Sequence, residues 1–243
     1  MNDFYQVSTL NALMLGNLYG VISTKELLKN GNFGLGTFEG VDGELIVLDG
    51  TAYNGQADGT ARKCTDSEKV AFAAVCRFSE KIKKYTINDI GSLKDLRRTM
   101  TQLIEEQYKN KNVFYIVKIK AHMNYVKVRS CYKEKEPYRT LMAVTSSQVK
   151  YEYNDISGDI VGVFCPNYVD KLNMPGWHFH FISEDKTKGG HLLDISFKKA
   201  DIDIDQKTQY EIILPTNTKF ATINLSADLK EETKKTELER HIV

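Results

Sequence analysis

The chain has 243 residues, 42% of them hydrophobic and 27% charged, and its 33 Lys and Arg balance 32 Asp and Glu to a formal net charge of +1. This is the composition of a globular protein that can bury a substantial core. The near-neutral balance indicates neither a nucleic-acid partner nor an anionic membrane surface. No apolar run approaches the about 20 residues that a membrane helix needs.

Two features favour a cytoplasmic location. The N-terminus MNDFYQVSTLNALMLG contains an acidic residue and no basic segment, so we expect no signal peptide. The cysteines are widely spaced and form no CxxC pair, and a chain of this size needs no disulfides to fold, so we expect reduced thiols at Cys64, Cys76, Cys131 and Cys165.

The first quarter of the chain predicts a short helix and then a β-hairpin. STKELLKNGN has capping-box spacing between Ser23 and Glu26, which marks the start of a helix. In FGLGTFEGVDGELIVLDGTAY, Asp42-Gly43 lies between two apolar runs and indicates a hairpin turn. This interpretation places Thr37 on the first strand and Glu44 immediately after the turn.

The rest of the chain is dominated by predicted strands. SLKDLRRTMTQLIEEQY is an amphipathic helix, and NVFYIVKIKAHMNYVKVRSCY predicts two β-runs joined around His122 and Met123. DIVGVFCP, HLLDISF and TQYEIILP are further strands, and the charged tail ADLKEETKKTELER favours a helix. The pattern predicts a strand-rich mixed α/β fold. No linker divides the chain, so any domain boundary is soft.

The segment GWHFHFISEDKTKGGHLLD contains three of the five histidines. Because alternate residues of a strand share a face, His178 and His180 point to one side, and Trp177, Phe179 and Phe181 point to the other. The polar loop SEDKTKGG indicates that HLLDISF turns back to pair with this strand. His191 then lies opposite Ile182 or, in a register shifted by two residues, opposite His180; in both cases the three histidines share a face.

Three converging imidazoles predict a metal site with an open position for water or substrate, which is typical of catalytic zinc. Zinc is a preference, since imidazole also suits iron, copper, nickel and manganese. The alternative is three separate histidines, each hydrogen-bonded on a polar sheet face. Other possible functions are a different lyase, isomerase or hydrolase on a three-histidine site, such as a cupin-like enzyme, and a non-catalytic metal-binding module closed by a fourth protein ligand.

Two charged residues are candidates to complete such a site. Glu44 follows the hairpin turn, and Arg129 faces away from the apolar positions of VKVRS, where it could grip a carboxylate through two parallel hydrogen bonds. Their positions alone favour a surface glutamate beside a turn and a solvent-facing strand arginine.

The motifs together resemble the alpha-acetolactate decarboxylase family. The resemblance is carried by GNFGLGTFEGVDGELIVLDGTAY, by VKVRS followed by EPYRTL, and by the histidine block, in that order. It extends from about Leu10 to the charged tail. It implies a zinc lyase that converts (S)-2-acetolactate to (R)-acetoin and CO₂ through a zinc-stabilised enediolate.

The resemblance also implies an architecture and a set of site residues. A mixed-sheet domain would cover residues 1–140 and contain Glu44 and Arg129, and a smaller β-barrel-like domain would cover residues 141–243 and carry the histidine hairpin, unless the two form one integrated unit. The protein would be a homodimer. The three histidines would bind zinc, Arg129 and Thr37 would bind the substrate, and Glu44, Arg129 and a glutamate near the C-terminus would be catalytic. Glu237 is preferred over Glu239 for that glutamate.

Overall fold

A computed structural model describes residues 4–79 and 82–237 of the chain. The strands are β1 (Phe4–Val7), β2 (Ile22–Ser23), β3 (Phe33–Phe38), β4 (Glu44–Leu48), β5 (Thr51–Gly55), β6 (Ala61–Lys63), β7 (Lys69–Cys76), β8 (Lys83–Ile90), β9 (Phe114–Ser130), β10 (Val149–Cys165), β11 (Gly176–Ser183), β12 (Gly189–Lys207) and β13 (Tyr210–Ile213). The α-helices are α1 (Leu10–Met14), α2 (Thr24–Asn30), α3 (Leu93–Gln107), α4 (Leu141–Thr145), α5 (Thr218–Thr222) and α6 (Lys230–Glu237). Short 3₁₀ turns cover Glu39–Val41 and Asn167–Val169. The predicted strand-rich mixed α/β fold is confirmed.

The first sheet is mixed and has eight strands. Seven follow one another in the order β13-β1-β7-β3-β4-β5-β6, and β2 pairs with β7. β1 and β13 run parallel, whereas the other pairs are antiparallel. The predicted hairpin around Asp42-Gly43 is confirmed as β3–β4, with Thr37 paired directly to Glu44. This pairing sets the two residues side by side at the end of the hairpin.

The second sheet has five strands and is partly closed. Its order is β11-β10-β9-β12-β8, and β11 also pairs with β12, so that β9 to β12 form a ring of four strands. Helix α3 packs its apolar side against this ring, and its buried residues Leu96, Met100 and Ile104 join a core that includes the aromatic face of β11. The ring is the barrel-like unit that carries the histidine hairpin.

The two sheets are joined by an apolar layer. Phe33 and Ile46 of the first sheet pack in one cluster with Ile116, Val163 and Ile182 of the second. The division between the sheets does not fall at residue 140, because β8 and β9 lie before it and pair only within the second sheet, while β13 returns to the first. The division into two domains, residues 1–140 and 141–243, stays a prediction.

One prediction about the strands was wrong. The run around His122 and Met123 is a single 17-residue strand, β9, rather than two strands. The burial pattern explains this, because Ala121 and Met123 are buried while His122 and Asn124 are exposed, as in any continuous strand with one wet face. On the paired strand β10, Asp155 lies opposite this point and has a left-handed backbone conformation, with φ 54°, while the pairing continues on both sides of it.

The predicted helices are confirmed, and their ends follow the sequence signals. Helix α2 has a complete capping box, in which the Ser23 hydroxyl accepts from the Glu26 amide and the Glu26 carboxylate accepts from the Ser23 amide. Ser92 caps α3 in the same manner by accepting from the Asp95 amide. None of the helices in the described part of the chain has the length and apolar character needed to cross a bilayer.

Candidate metal centre

The histidine hairpin is formed by β11 and β12. His180 pairs with His191 and Ile182 pairs with Gly189, which is the second of the two predicted registers. The aromatic residues of β11 lie in the core beneath α3, as the alternation predicted, whereas the histidines point toward the first sheet. The pleat of one strand thus separates a packing face from a polar face.

The three imidazoles converge at one point. One ligand nitrogen from each of His178, His180 and His191 lies within 4.8 Å of the others. His178 Nε2 and His191 Nδ1 are 3.0 Å apart and share a hydrogen bond. All three rings are buried, with exposed fractions of 8%, 1% and 2%. The alternative of three separate, individually satisfied histidines does not fit this arrangement.

The environment keeps the imidazoles neutral, which is the form that binds metals. Burial, with a contribution from the nearby Arg129 charge, lowers the pKa of His178 to about 3. Burial likewise places the pKa values of His180 and His191 well below the usual range. The Nδ1–H of His180 donates to the Leu45 carbonyl at 2.9 Å, which leaves Nε2 as an acceptor. These residues fit a metal ion, which would replace the His178–His191 hydrogen bond.

Neutral histidines make the stability of the metal-free protein depend on pH. The folded-state pKa values lie below the unfolded value of about 6.5, so only the unfolded chain takes up protons as the pH falls below that value. Above this pH the three histidines take no stability away from the metal-free protein. We expect its free energy of unfolding to fall as the pH is lowered from 7.5 to 5.5.

Urea unfolding at the two pH values measures this effect. A His178→Asn variant removes one of the shifted groups and should show a shallower dependence on pH. Equal free energies of unfolding at both pH values, or the same dependence in the variant, would show that these imidazoles are not held neutral by the fold.

Glu44 faces the histidines from the first sheet. Its Oε2 lies 3.4 Å from His180 Nε2, and only 6% of the residue is exposed. The interpretation as a surface glutamate beside a turn was therefore wrong. The neighbouring Leu45 carbonyl holds the opposite nitrogen of His180, so two adjacent residues of β4 lie on the two sides of that ring.

The backbones of the two sheets are in close contact at this point. Gly55, the partner of Glu44 on β5, lies against Gly189, and a Cβ on Gly55 would be 2.7 Å from the Gly189 carbonyl carbon. The hydroxyl of Ser130 donates to the Gly55 carbonyl at 2.7 Å across the same contact. Glycine here permits an approach of backbones that any side chain would block, and this approach occurs beside Glu44, the strand partner of Gly55.

Arg129 enters the site from the end of β9. It pairs with His191 on β12, and only 3% of the residue is exposed, so the interpretation as a solvent-facing strand arginine was wrong. Its Nη1 donates to the side-chain oxygen of Gln148 at 3.0 Å. After burial, which is the main cause, the guanidinium charge contributes to lowering the pKa of all three histidines.

These groups line one cavity. Thr37 lines it, and its hydroxyl donates to the Gly43 carbonyl at 2.8 Å. The structure thus brings all the predicted site residues together except the C-terminal glutamate. Glu237 is the last residue of α6, and its side chain lies outside what the structure describes, as does the whole of Glu239.

The sequence did not indicate the rest of the cavity wall. Gly36, two polar residues and a group of apolar side chains complete it. The polar residues are Thr145 and Asn173, and the apolar ones are Leu10, Leu13, Val41, Phe72, Leu141 and Met174. They come from short helices, loops and strands β3 and β7, which are far apart in the chain, so no local pattern could have marked them. The wall combines an apolar surface with a few polar groups, as in sites for small ligands.

Comparison with known proteins agrees with this geometry. The family model for alpha-acetolactate decarboxylase matches residues 4–227. The alpha-acetolactate decarboxylase of Brevibacillus brevis is 36% identical over 239 residues, covering 98% of this chain and 82% of the relative. That of Methanosarcina mazei is 36% identical, covering 96% and 79%. The crystal structure of the Bacillus subtilis strain 168 enzyme superposes with a TM-score of 0.91 at 28% identity, covering 98% of this chain and all of that one. The chain belongs to the alpha-acetolactate decarboxylase family.

Proposed function

We propose that the chain converts 2-acetolactate to acetoin and CO₂, using a metal ion held by His178, His180 and His191. The observation that carries this proposal is the convergence of three buried, neutral imidazoles with a carboxylate and a guanidinium in one cavity. Family membership supports the choice of substrate. Zinc is the preferred metal, because three histidines with an open position are a common catalytic zinc set.

Arg129 is the group that binds the substrate carboxylate. Its guanidinium is buried, and part of it is already oriented by Gln148. A planar guanidinium pairs with a carboxylate through two parallel hydrogen bonds, which fixes the direction of the C–C bond that will break. Thr37 lies beside Glu44 on the same hairpin and would contact the substrate from that side.

When bound, the metal would supply Lewis acidity toward the adjacent ketone and hydroxyl oxygens and would stabilise the charge left by loss of CO₂. The electron pair of the broken C–C bond becomes the double bond of an enediolate. The carbon that carried the carboxylate must then accept a proton to give acetoin. The apolar cavity wall keeps bulk water from this carbon.

Glu44 is the preferred donor of this proton. It is buried beside His180, on a strand that fixes its backbone, so it can address one face of the planar enediolate. Delivery to one face sets the configuration of the product, (R)-acetoin from (S)-2-acetolactate. The C-terminal Glu237 is the alternative donor.

We also propose that the protein acts as a homodimer in the cytoplasm.

Product analysis tests the proposal against its rivals. Purified protein reconstituted with zinc is incubated with racemic 2-acetolactate, and both acetoin and released CO₂ are measured. We expect equal amounts of the two products, formed faster than the spontaneous rate only by the metal-loaded protein. A non-catalytic metal-binding module predicts neither product above the spontaneous rate, and a hydrolase would consume substrate without releasing CO₂.

Replacing Arg129 by lysine keeps the charge but removes the planar pair of donors. Since hydrogen bonds to charged groups contribute about 1.5–3 kcal/mol, we expect kcat/KM to fall by one to two orders of magnitude while the bound metal is retained. Steady-state kinetics and metal analysis measure the two quantities. The exposed Arg98 of α3 provides the matched control, since Arg98→Lys should behave as wild type. Unchanged kinetics in Arg129→Lys would assign the carboxylate to another residue.

A further inference from the structure

Gln148 lies outside the cavity wall but contacts one of its charged groups. It is in the turn between α4 and β10, directly before Val149. Its backbone N–H donates to the Thr145 carbonyl at 3.1 Å. Its side chain is half-buried, and the side-chain oxygen accepts from Arg129 Nη1 at 3.0 Å. The backbone contact ties Gln148 to the helix whose residues Leu141 and Thr145 line the cavity.

The chemistry of this contact is selective. A primary amide oxygen accepts a hydrogen bond and fixes the plane of the guanidinium, yet it brings no charge that would neutralise it. A carboxylate in the same place would bind Arg129 more strongly, through charge-assisted hydrogen bonds, and would compete with a carboxylate of the substrate. Arg129 lines the same cavity as the three histidines and is the cross-strand partner of His191, so its guanidinium lies at the site where an anionic ligand would bind.

We propose that Gln148 is a positioning residue for recognition of the substrate carboxylate. It holds the guanidinium of Arg129 in the orientation that accepts a carboxylate, and because it is uncharged it does not itself compete electrostatically with that anion. The inference rests on the proposed function for the identity of the substrate. It goes further in making an uncharged residue outside the cavity a determinant of the preference for an anionic ligand.

Two variants separate this role from a structural one. Gln148→Met keeps the length of the side chain but removes the acceptor, and Gln148→Glu keeps the length and an acceptor but adds a charge. If Gln148 only supported the fold, the glutamate would substitute for it and the methionine would be the more damaging change. The proposal predicts that both variants weaken binding of anions, and that the glutamate is at least as harmful as the methionine.

The measurements are KM and kcat for 2-acetolactate, metal content, and calorimetric binding of two small probes to the zinc-loaded protein. The probes are 2-hydroxyisobutyrate, which has a carboxylate beside a hydroxyl, and acetoin, which has a hydroxyl but no carboxylate. In Gln148→Met we expect about a tenfold rise in KM and in the dissociation constant of 2-hydroxyisobutyrate, from the loss of a hydrogen bond to a charged group. In Gln148→Glu we expect a rise of at least this size, because the new carboxylate competes with the anion for Arg129. The values of kcat, metal content and acetoin binding should stay near those of the wild type.

Gln102→Glu, which adds the same charge on the exposed face of α3, is the matched control and should leave every value unchanged. Wild-type anion binding in Gln148→Glu, or equal weakening of both probes, would overturn the inference. Because the calorimetric measurement needs no turnover, this outcome is distinct from failure of the proposed function, in which the wild-type protein would produce no acetoin.

Discussion

Replacing His180 by alanine should remove most of the bound metal and nearly all acetoin formation. His180 is 1% exposed, and its Nδ1–H donates to the Leu45 carbonyl. Its Nε2 faces Glu44 and the other two histidines of the cluster. Loss of a residue that supports a ligand from outside typically costs 10–100-fold in metal affinity or activity. Loss of a ligand itself should therefore cost more than about a hundredfold.

The chain offers a matched control for this substitution. His122 is the exposed histidine of β9, bonded to Asp155 and Ser157 on the outer face of the sheet. His122→Ala should retain metal and activity. Metal analysis of the two purified variants, together with the acetoin assay, decides the matter. Full metal occupancy in His180→Ala would mean that the three histidines are not the metal ligands.

Replacing Glu44 by glutamine should slow turnover by about 10²–10⁴-fold, the usual contribution of general acid–base catalysis. Glutamine keeps the size of the side chain but cannot cycle between an acid and its conjugate base. The bound metal should be retained, because the three histidines are intact. The remaining acetoin should also lose enantiomeric purity, since water could then protonate either face of the enediolate.

Chiral chromatography of the product formed in deuterated buffer measures both effects in one experiment. Glu211→Gln, on the exposed side of β13, is the control and should match the wild type. A slow Glu44→Gln variant that still yields one pure enantiomer would make Glu44 a positioning residue and favour Glu237 as the donor. Wild-type turnover would exclude both roles.

The sequence predicted the convergence of the three histidines because their geometry is local. Strand alternation places His178 and His180 on one face, and a hairpin returns His191 to the same face in either register. Only the observed turn from Ser183 to Gly189 chooses between the two registers. The same local rules predicted the capping box of α2 and the apolar side of α3.

The burial of Glu44 and Arg129 depends on contacts between distant parts of the chain. Glu44 reaches the histidines because Gly55 on the first sheet meets Gly189 on the second, and nothing near residue 44 in the sequence indicates that contact. Arg129 is buried because the ring of four strands closes around the end of β9. Their importance was indicated only by resemblance to the family, whose motifs carry this long-range information.

Metal titration of the metal-free protein tests the central claim most directly. Zinc is added in known steps, and both the bound metal and the rate of acetoin formation from 2-acetolactate are measured at each step. A single site formed by His178, His180 and His191 predicts that the rate rises in proportion to bound zinc and levels off at one ion per chain. Full turnover by the metal-free protein, or saturation with zinc without any acetoin formation, would contradict the account.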